Sequence, residues 1–280
     1  MKVAVIGMGR MGAALARRLL QGGHEVVIWN RTPGKANDVV AAGAREARSL
    51  PGAADGAGLV LTSLSDDAAV RSVALGDSGL QKHLPDGATY IETSTVSPQL
   101  TEELAGLFGS FVAMPVLGGP AAVGEGSATY LAGGTEEALG RLEPVLAALG
   151  GPVRRYASPA LASTAKLTVN FLLLSGLVSL VESLAVGRSG GLSDVQLREL
   201  LAGVIAPGLR NRFEAVIGGP WSGWWTTALA AKDAGLAIEL AKSGGYELHV
   251  GSGARDAYLR AATEGYAGED IAAVRHIYEK

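Results

Sequence analysis

The sequence predicts an α/β N-terminal domain, wound on both faces of a parallel sheet, and an all-α C-terminal domain. One long central helix joins them. Three observations predict this. Short apolar runs alternate with helical segments as far as Ser158. Beyond that point no strand pattern is visible, and helical segments follow one another, punctuated by Gly and Pro. Between the two regimes lies an uninterrupted helical stretch, 160–189, about 45 Å long at 1.5 Å per residue. That length suits a spine between domains 1–159 and 160–280, with a ligand cleft beside it.

The first element is VAVIG, Val3 to Gly7, an apolar run of buried-strand type. Gly7-Met8-Gly9-Arg10-Met11-Gly12 follows as a G-x-G-x-x-G loop, opening a helix to Gln21. The next strand is Val26–Trp29. Strand, glycine loop, helix and strand in this register identify a Rossmann-type dinucleotide site rather than an incidental glycine turn. Gly7 permits the tight turn, Gly9 lets backbone approach a pyrophosphate, and Gly12 lets helix pack on strand. The second strand ends in Asn30-Arg31-Thr32. A carboxylate there would accept from a ribose 2′-hydroxyl. Arg31 instead pairs with a 2′-phosphate and Thr32 donates to it, so the expected cofactor is NADP(H).

Four further strands are expected at Leu59–Ser63, Thr89–Glu92, Phe111–Val116 and Ala128–Ala132. Helices are expected at Pro33–Ala42, Asp66–Val73, Gln99–Phe108 and Glu136–Ala148. In the second half the helical segments are 160–189, 193–203, 207–217, 226–243, 251–264 and 268–278. On the first of these, Lys166 and Asn170 lie four residues apart and share a face. An apolar setting would favour the neutral amine of Lys166 and make it a proton donor and acceptor, although a lysine there also fits with its head in solvent. Asn170 would hold a substrate oxygen or the lysine itself. Glu92-Thr93-Ser94-Thr95-Val96-Ser97-Pro98 ends a strand in hydroxyls, suited to a nicotinamide ribose or to a helix N-cap. Met114-Pro115-Val116-Leu117-Gly118-Gly119-Pro120 ends another, with glycines that expose backbone N–H groups or simply connect strand to helix.

Composition excludes several classes. The 280 residues are 48% hydrophobic and 18% charged, enough for a sizeable core. There is no cysteine, hence no disulfide, thiol nucleophile or Cys-ligated metal. His24, His83, His249 and His276 have no metal spacing, so no metal is expected. Net charge is −3, and no basic run exceeds the pairs Arg17-Arg18 and Arg154-Arg155, which argues against a nucleic-acid partner. Phe171 to Val186 is shorter than a membrane span and contains Glu182, as a buried central helix would. A soluble cytoplasmic protein without a membrane partner is expected. Trp221, Trp224 and Trp225 read as core or dimer contacts before a substrate wall.

Taken together, GMGRMG with its NRT turn, TSLSD (62–66), ETSTVSP (92–98), PVLGGP (115–120), KLTVN (166–170) and KDAGLAIELA (232–241) resemble the β-hydroxyacid dehydrogenases. That group includes 3-hydroxyisobutyrate dehydrogenases and glyoxylate/succinic semialdehyde reductases, and the resemblance covers nearly the whole chain. It implies an NADP(H)-dependent oxidoreductase acting on a small hydroxy acid or aldehyde acid, and a homodimer. Lys166 would be the acid/base and Asn170 would hydrogen-bond the substrate. Leu117, Gly118 and Gly119 would line the substrate carboxylate. Leu64, Ser65 and Thr95 would line the cofactor, and Lys232 would close over the nicotinamide. The family loop usually reads D-A-P-V-S-G-G. Leu117 stands at its serine, which makes that wall apolar and favours a less polar aldehyde, ketone or imine. The glycine-rich approach to the lysine is altered too, reading SPALASTAK at 158–166. WNRTPGKA (29–36) also resembles the imine reductases, in which Asp or Tyr often stands at the lysine position, whereas Lys166 points back to carbonyl chemistry. A non-catalytic protein that keeps NADP(H) as a structural ligand is the third alternative.

Overall fold

The computed structural model describes residues 1–205, 207–218 and 223–279. It divides into two compact units, Met1–Lys166 and Leu167–Lys280.

In the first unit the strands are β1 Lys2–Ile6, β2 Glu25–Trp29, β3 Arg45–Glu46, β4 Leu59–Thr62, β5 Thr89–Glu92, β6 Phe111–Ala113, β7 Val116–Leu117, β8 Thr129–Gly134 and β9 Val153–Tyr156. Its helices are α1 Arg10–Gln21, α2 Asn37–Ala41, α3 Leu50–Ala54, α4 Asp67–Leu75, α5 Leu80–His83, α6 Pro98–Leu107, α7 Pro120–Glu125, α8 Glu136–Arg141 and α9 Glu143–Leu149. The described residues form one sheet in the order β3-β2-β1-β4-β5-β6-β8, with β7 and β9 also paired to β8. From β3 to β6 every pairing is parallel. The chain enters at β1, moves outward to β3, then crosses back to β4, so the order reverses between β1 and β4. Ligands of such sheets sit outside the strand ends at that point.

Two apolar layers cover the sheet. Leu15, Leu19, Val123, Val145 and Leu149 pack on one face, and Leu50, Val70, Leu80, Leu100 and Leu104 on the other. The central strands β1, β4 and β5 are buried along almost their whole length, which explains why they read as continuous apolar runs.

Several expected elements differ in detail. The strand expected at Phe111–Val116 is two strands, because Pro115 interrupts the ladder after Ala113. Both pieces run antiparallel to β8, through Val112↔Gly134 and Val116↔Tyr130. The helix expected at Glu136–Ala148 breaks at Leu142, and Pro144 lies in the first turn of its second half. The segment from Pro33 is helical only from Asn37, after a turn in which Gly34 has φ +75°. β3 and β9 carry Arg45, Arg154 and Arg155 and lack an apolar pattern, so their pairing, not their composition, makes them strands.

The long helix α10 runs Pro159–Ser189. Its start passes close to β8, where an added Cβ at Gly133 would fall 2.2 Å from Ser158 O and 2.9 Å from Ala162 Cβ. Small residues on both sides make that approach possible. In the second unit, Leu174, Leu177, Val178, Val181 and Leu184 of α10 are core residues. Each such side chain contributes about 1.5–3 kcal/mol on burial. α10 has the length and composition of a membrane span, with 39% of its most apolar window buried. The other helices are α11 Asp194–Ala202, α12 Pro207–Ile217, α13 Thr227–Ser243 and α14 His249–Ala261, followed by a kinked turn at Gly265 and a 3-10 helix, Ile271–Tyr278. Among the described residues of this unit the only strand-type pairing is the isolated bridge Thr226↔Asp270. Glu182 lies on the exposed side of α10 and accepts from Tyr278 O–H at 2.9 Å. Trp225 is buried in the core with Trp224 stacked on it at 6.2 Å between centroids. Trp221 falls outside the described residues.

Candidate active site

The glycine loop leaves β1 and becomes the N-terminus of α1. Gly7 has φ +94°, and a Cβ there would strike Ser63 O at 2.3 Å. At Gly12 a Cβ would lie 1.9 Å from Gly7 O. These two glycines are required by the protein's own backbone. Gly9 is different, because its Cβ would meet nothing within 4 Å. It caps α1 without a side-chain hydrogen bond, so no cap side chain competes for the first N–H groups of the helix. A close loop with room at its second glycine fits a bound dinucleotide.

The neighbouring candidates divide by exposure. Met8 is a core residue, and its N–H donates to Asn30 Oδ1 at 3.0 Å. Asn30 Nδ2 in turn donates to Thr32 O at 2.8 Å. The Asn30 amide thus ties the glycine loop to the end of β2 and fixes the turn that carries Arg31 and Thr32. Both of these are exposed, as is Arg10, while Met11 is half-buried against the core.

At the ends of β4 and β5, Leu64 and Thr95 are half-buried and Ser65 is exposed. Ser65 O–H donates to Asp66 at 2.7 Å, and Leu64 N–H donates to Ser94 Oγ at 2.8 Å. Ser97 caps α6 by accepting from Leu100 N–H. The N-cap part of the sequence expectation therefore falls on Ser97.

Behind these loops lies a carboxylate that the sequence reading did not single out. Glu92 is fully buried. Its Oε2 accepts from Thr62 Oγ1 (2.6 Å) and Tyr90 O–H (2.8 Å), and its Oε1 accepts from Ser94 N–H (2.7 Å). Burial pushes the carboxyl above its ordinary range, against the pull of these donors. Burial and the adjacent carboxylate likewise push the Tyr90 phenol up. The available sequence signal was a charged residue closing an otherwise apolar strand, TYIE.

Lys166 is buried, 8% exposed, and its Nζ donates to Val116 O at 2.7 Å. This bond joins α10 to the strand that leads into Leu117, Gly118 and Gly119. Gly118 has φ +115°, a conformation L side chains rarely adopt, and its side is open to solvent. Leu117 and Gly119 are half-buried. Lysine, strand and loop therefore belong to one structural unit.

The second unit holds its own polar cluster. Asn170, one turn beyond Lys166 on α10, donates from Nδ2 to Asp233 Oδ2 at 2.7 Å. Lys232 Nζ stands 2.6 Å from Asp233 Oδ1 as an ion pair. Asp233 is 3% exposed. Its burial and its hold on Asn170 come from α13 packing that residue inward. Among the described residues no His, Asp and Glu cluster has the makings of a metal site.

Residues 2–158 match the family model described as the NAD binding domain of 6-phosphogluconate dehydrogenase. Residues 160–278 match the one for NAD-binding of NADP-dependent 3-hydroxyisobutyrate dehydrogenase. The chain belongs to the β-hydroxyacid dehydrogenase family. It is an oxidoreductase of that family's dehydrogenase type, with a nicotinamide cofactor. Among its relatives, the NAD-dependent L-serine dehydrogenase of Pseudomonas aeruginosa is 31% identical over 99% of this chain and 98% of its own. The 3-hydroxyisobutyrate dehydrogenase of Mycobacterium tuberculosis, solved with L-serine, superposes with a TM-score of 0.87 at 26% identity, covering 100% and 99% of the two chains. A reductive aminase from Aspergillus terreus in complex with NADPH and ethyl levulinate superposes with a TM-score of 0.62 at 25% identity, covering 99% of each. The structural likeness to this β-hydroxyacid dehydrogenase relative is thus the greater of the two.

Proposed function

We propose that this β-hydroxyacid dehydrogenase relative uses NADP(H) to interconvert a small hydroxy acid and its aldehyde or keto acid, with Lys166 as general acid and base. The observation that carries this reading is the Lys166 Nζ–Val116 O bond, which holds a buried amine beside the loop 117–119. Gly7, Gly9, Arg10 and Gly12 would hold the pyrophosphate, with Met8 and Met11 shaping the loop from the core side. Asn30 would set the turn from which Arg31 and Thr32 take the 2′-phosphate. Leu64, Ser65 and Thr95 would line the nicotinamide end. The bound nicotinamide supplies hydride in one direction and accepts it in the other.

In reduction, the Lys166 ammonium gives a proton to the carbonyl oxygen as hydride arrives on the carbon. In oxidation, the neutral amine takes the hydroxyl proton as hydride leaves. The ammonium also stabilises developing negative charge on the oxygen. Such proton transfer is worth about 10²–10⁴ in rate. Gly118 and Gly119 offer backbone N–H groups to the substrate carboxylate. Leu117 adds an apolar wall and favours substrates with an apolar substituent there. Asn170 would contact the substrate with its amide held by Asp233, and Lys232 would approach the nicotinamide. A homodimer belongs to the same reading, since Leu172 and Val186 on α10 are exposed apolar side chains.

The Arg31 turn supports NADP(H), whereas the Pseudomonas relative is named for NAD. The test is one assay plate. NADPH and NADH oxidation is followed by absorbance against short aldehyde acids, neutral aldehydes and cyclic imines. NADPH-dependent turnover of aldehyde acids is expected. Turnover confined to imines would transfer the chain to the reductive-amination chemistry that Leu117 and WNRTPGKA favour. Cofactor binding without turnover on any class would leave a non-catalytic binding protein.

A further inference from the structure

The buried carboxylate of Glu92 has no place in the chemistry described so far. It is fully enclosed, so it touches neither substrate nor cofactor. A carboxylate in such a place costs several kcal/mol in desolvation, and an apolar side chain of similar size would pack a strand end without that penalty. What the carboxylate obtains is a set of three donors arriving from two strands and one loop.

Those donors lead outward. Ser94 N–H binds Glu92 Oε1, and Ser94 Oγ receives Leu64 N–H. Glu92 O itself accepts Met114 N–H at 2.7 Å, at the head of the loop that runs to Gly118. Thr93 adds two bonds to Thr62 O, from its N–H (2.9 Å) and its hydroxyl (2.6 Å). The carboxyl ends of β4 and β5 are thereby locked in register. These are the strand ends outside which a doubly wound sheet takes its ligand.

We propose that Glu92 is a positioning residue for the cofactor. Its carboxylate fixes Ser94, and through Ser94 the backbone of Leu64, so that the loops 63–65 and 93–95 are set before the nicotinamide half arrives. This inference rests on the reading of those loops as cofactor contacts. Preset loops spare the ordering cost that binding would otherwise carry.

The test uses the full chain without cofactor, and three variants: Glu92→Ala, Glu92→Gln and Ser94→Ala. NADPH and NADH are titrated by quenching of tryptophan fluorescence. Amide exchange of Leu64 and thermal unfolding are measured on the unliganded proteins. In Glu92→Ala and Ser94→Ala, the dissociation constant of the preferred dinucleotide is expected to rise about tenfold and Leu64 exchange to quicken by a similar factor, as loss of one well-placed hydrogen bond dictates. Glu92→Gln is expected to stay within about threefold of wild type. Its amide oxygen can keep Ser94 N–H while the Thr62 and Tyr90 hydroxyls rotate to accept from its NH₂. A merely structural Glu92 would lower the unfolding temperature and leave affinity and Leu64 exchange unchanged, which would overturn the proposal. If Glu92→Ala does not fold, Ser94→Ala decides, because it keeps the bonds of the carboxylate to Thr62 and Tyr90. Wild type binding neither dinucleotide would overturn the cofactor reading and this proposal together. Wild-type binding with undisturbed variants would overturn the positioning role alone.

Discussion

Lys166 and Lys232 meet opposite surroundings. Lys166, at the end of the first unit, is buried and donates to a neutral backbone carbonyl at 2.7 Å. Lys232, in the second unit, is about a quarter exposed and stands against the carboxylate of Asp233, which also binds Asn170. A carbonyl orients an amine without adding charge. A carboxylate anchors an ammonium by its charge. On the reading proposed above, Lys166 does the proton-transfer work, while Asp233 holds Lys232 and Asn170 in place.

The largest effect should follow from removing the amine of the first region. Lys166→Ala is expected to lower kcat/KM by about 10²–10⁴ while circular dichroism and NADPH affinity stay near wild type. Near-normal turnover would erase the distinction between the two lysines. In the second region, Asp233→Ala leaves the Asn170 amide without its acceptor and Lys232 without its anion. A stability loss of about 2–3 kcal/mol in urea unfolding is expected, somewhat below a fully buried pair because Lys232 is partly exposed. A stability-neutral variant with unchanged substrate KM would mean that this cluster anchors nothing.

Arg31 sharpens the comparison from outside both clusters, as an exposed charge that on the proposed reading takes the 2′-phosphate. Arg31→Ala is expected to cost about 10- to 100-fold in kcat/KM with NADPH, the worth of a hydrogen bond to a charged group. The NADH value should change little. Equal losses with both dinucleotides would remove the 2′-phosphate from its role.

The smallest expected effect concerns Glu92 and pH. Burial raises its folded pKa above its ordinary value. The folded protein therefore keeps a proton there that the unfolded chain has released. That contribution to stability is complete below the unfolded value, about 4.5, and is lost as pH rises through the folded one. Relative to Glu92→Gln, wild type should lose stability as pH rises above about 4.5 and through the raised folded value. A difference independent of pH would place the Glu92 carboxyl at its ordinary value.

Much of the first unit was legible because local chemistry and fold agree there. Gly7 and Gly12 are forced by backbone contacts close in space, and the apolar runs of β1, β4 and β5 report burial on both faces. The short strands β3 and β9 were not legible, since Arg45 and Arg154-Arg155 have no apolar period and pairing alone defines them. At the site, the spacing of Lys166 and Asn170 predicted a shared helix face. It could not predict Val116 O as the partner of Lys166, fifty residues away in sequence. Glu92 and Asp233 escaped for a related reason. A carboxylate looks like surface in a sequence, and only the assembled donors around it explain why it is buried.

The central claim is that this protein moves hydride between nicotinamide and a small hydroxy-acid carbon. It is tested most directly by running the reaction with NADPH deuterated at C4, using each stereoisomer in turn, and weighing the product by mass spectrometry. The account predicts one deuterium on the new carbinol carbon from one stereoisomer and none from the other. An aldehyde or keto acid recovered without deuterium from both, by enzyme that has bound NADPH, would contradict it.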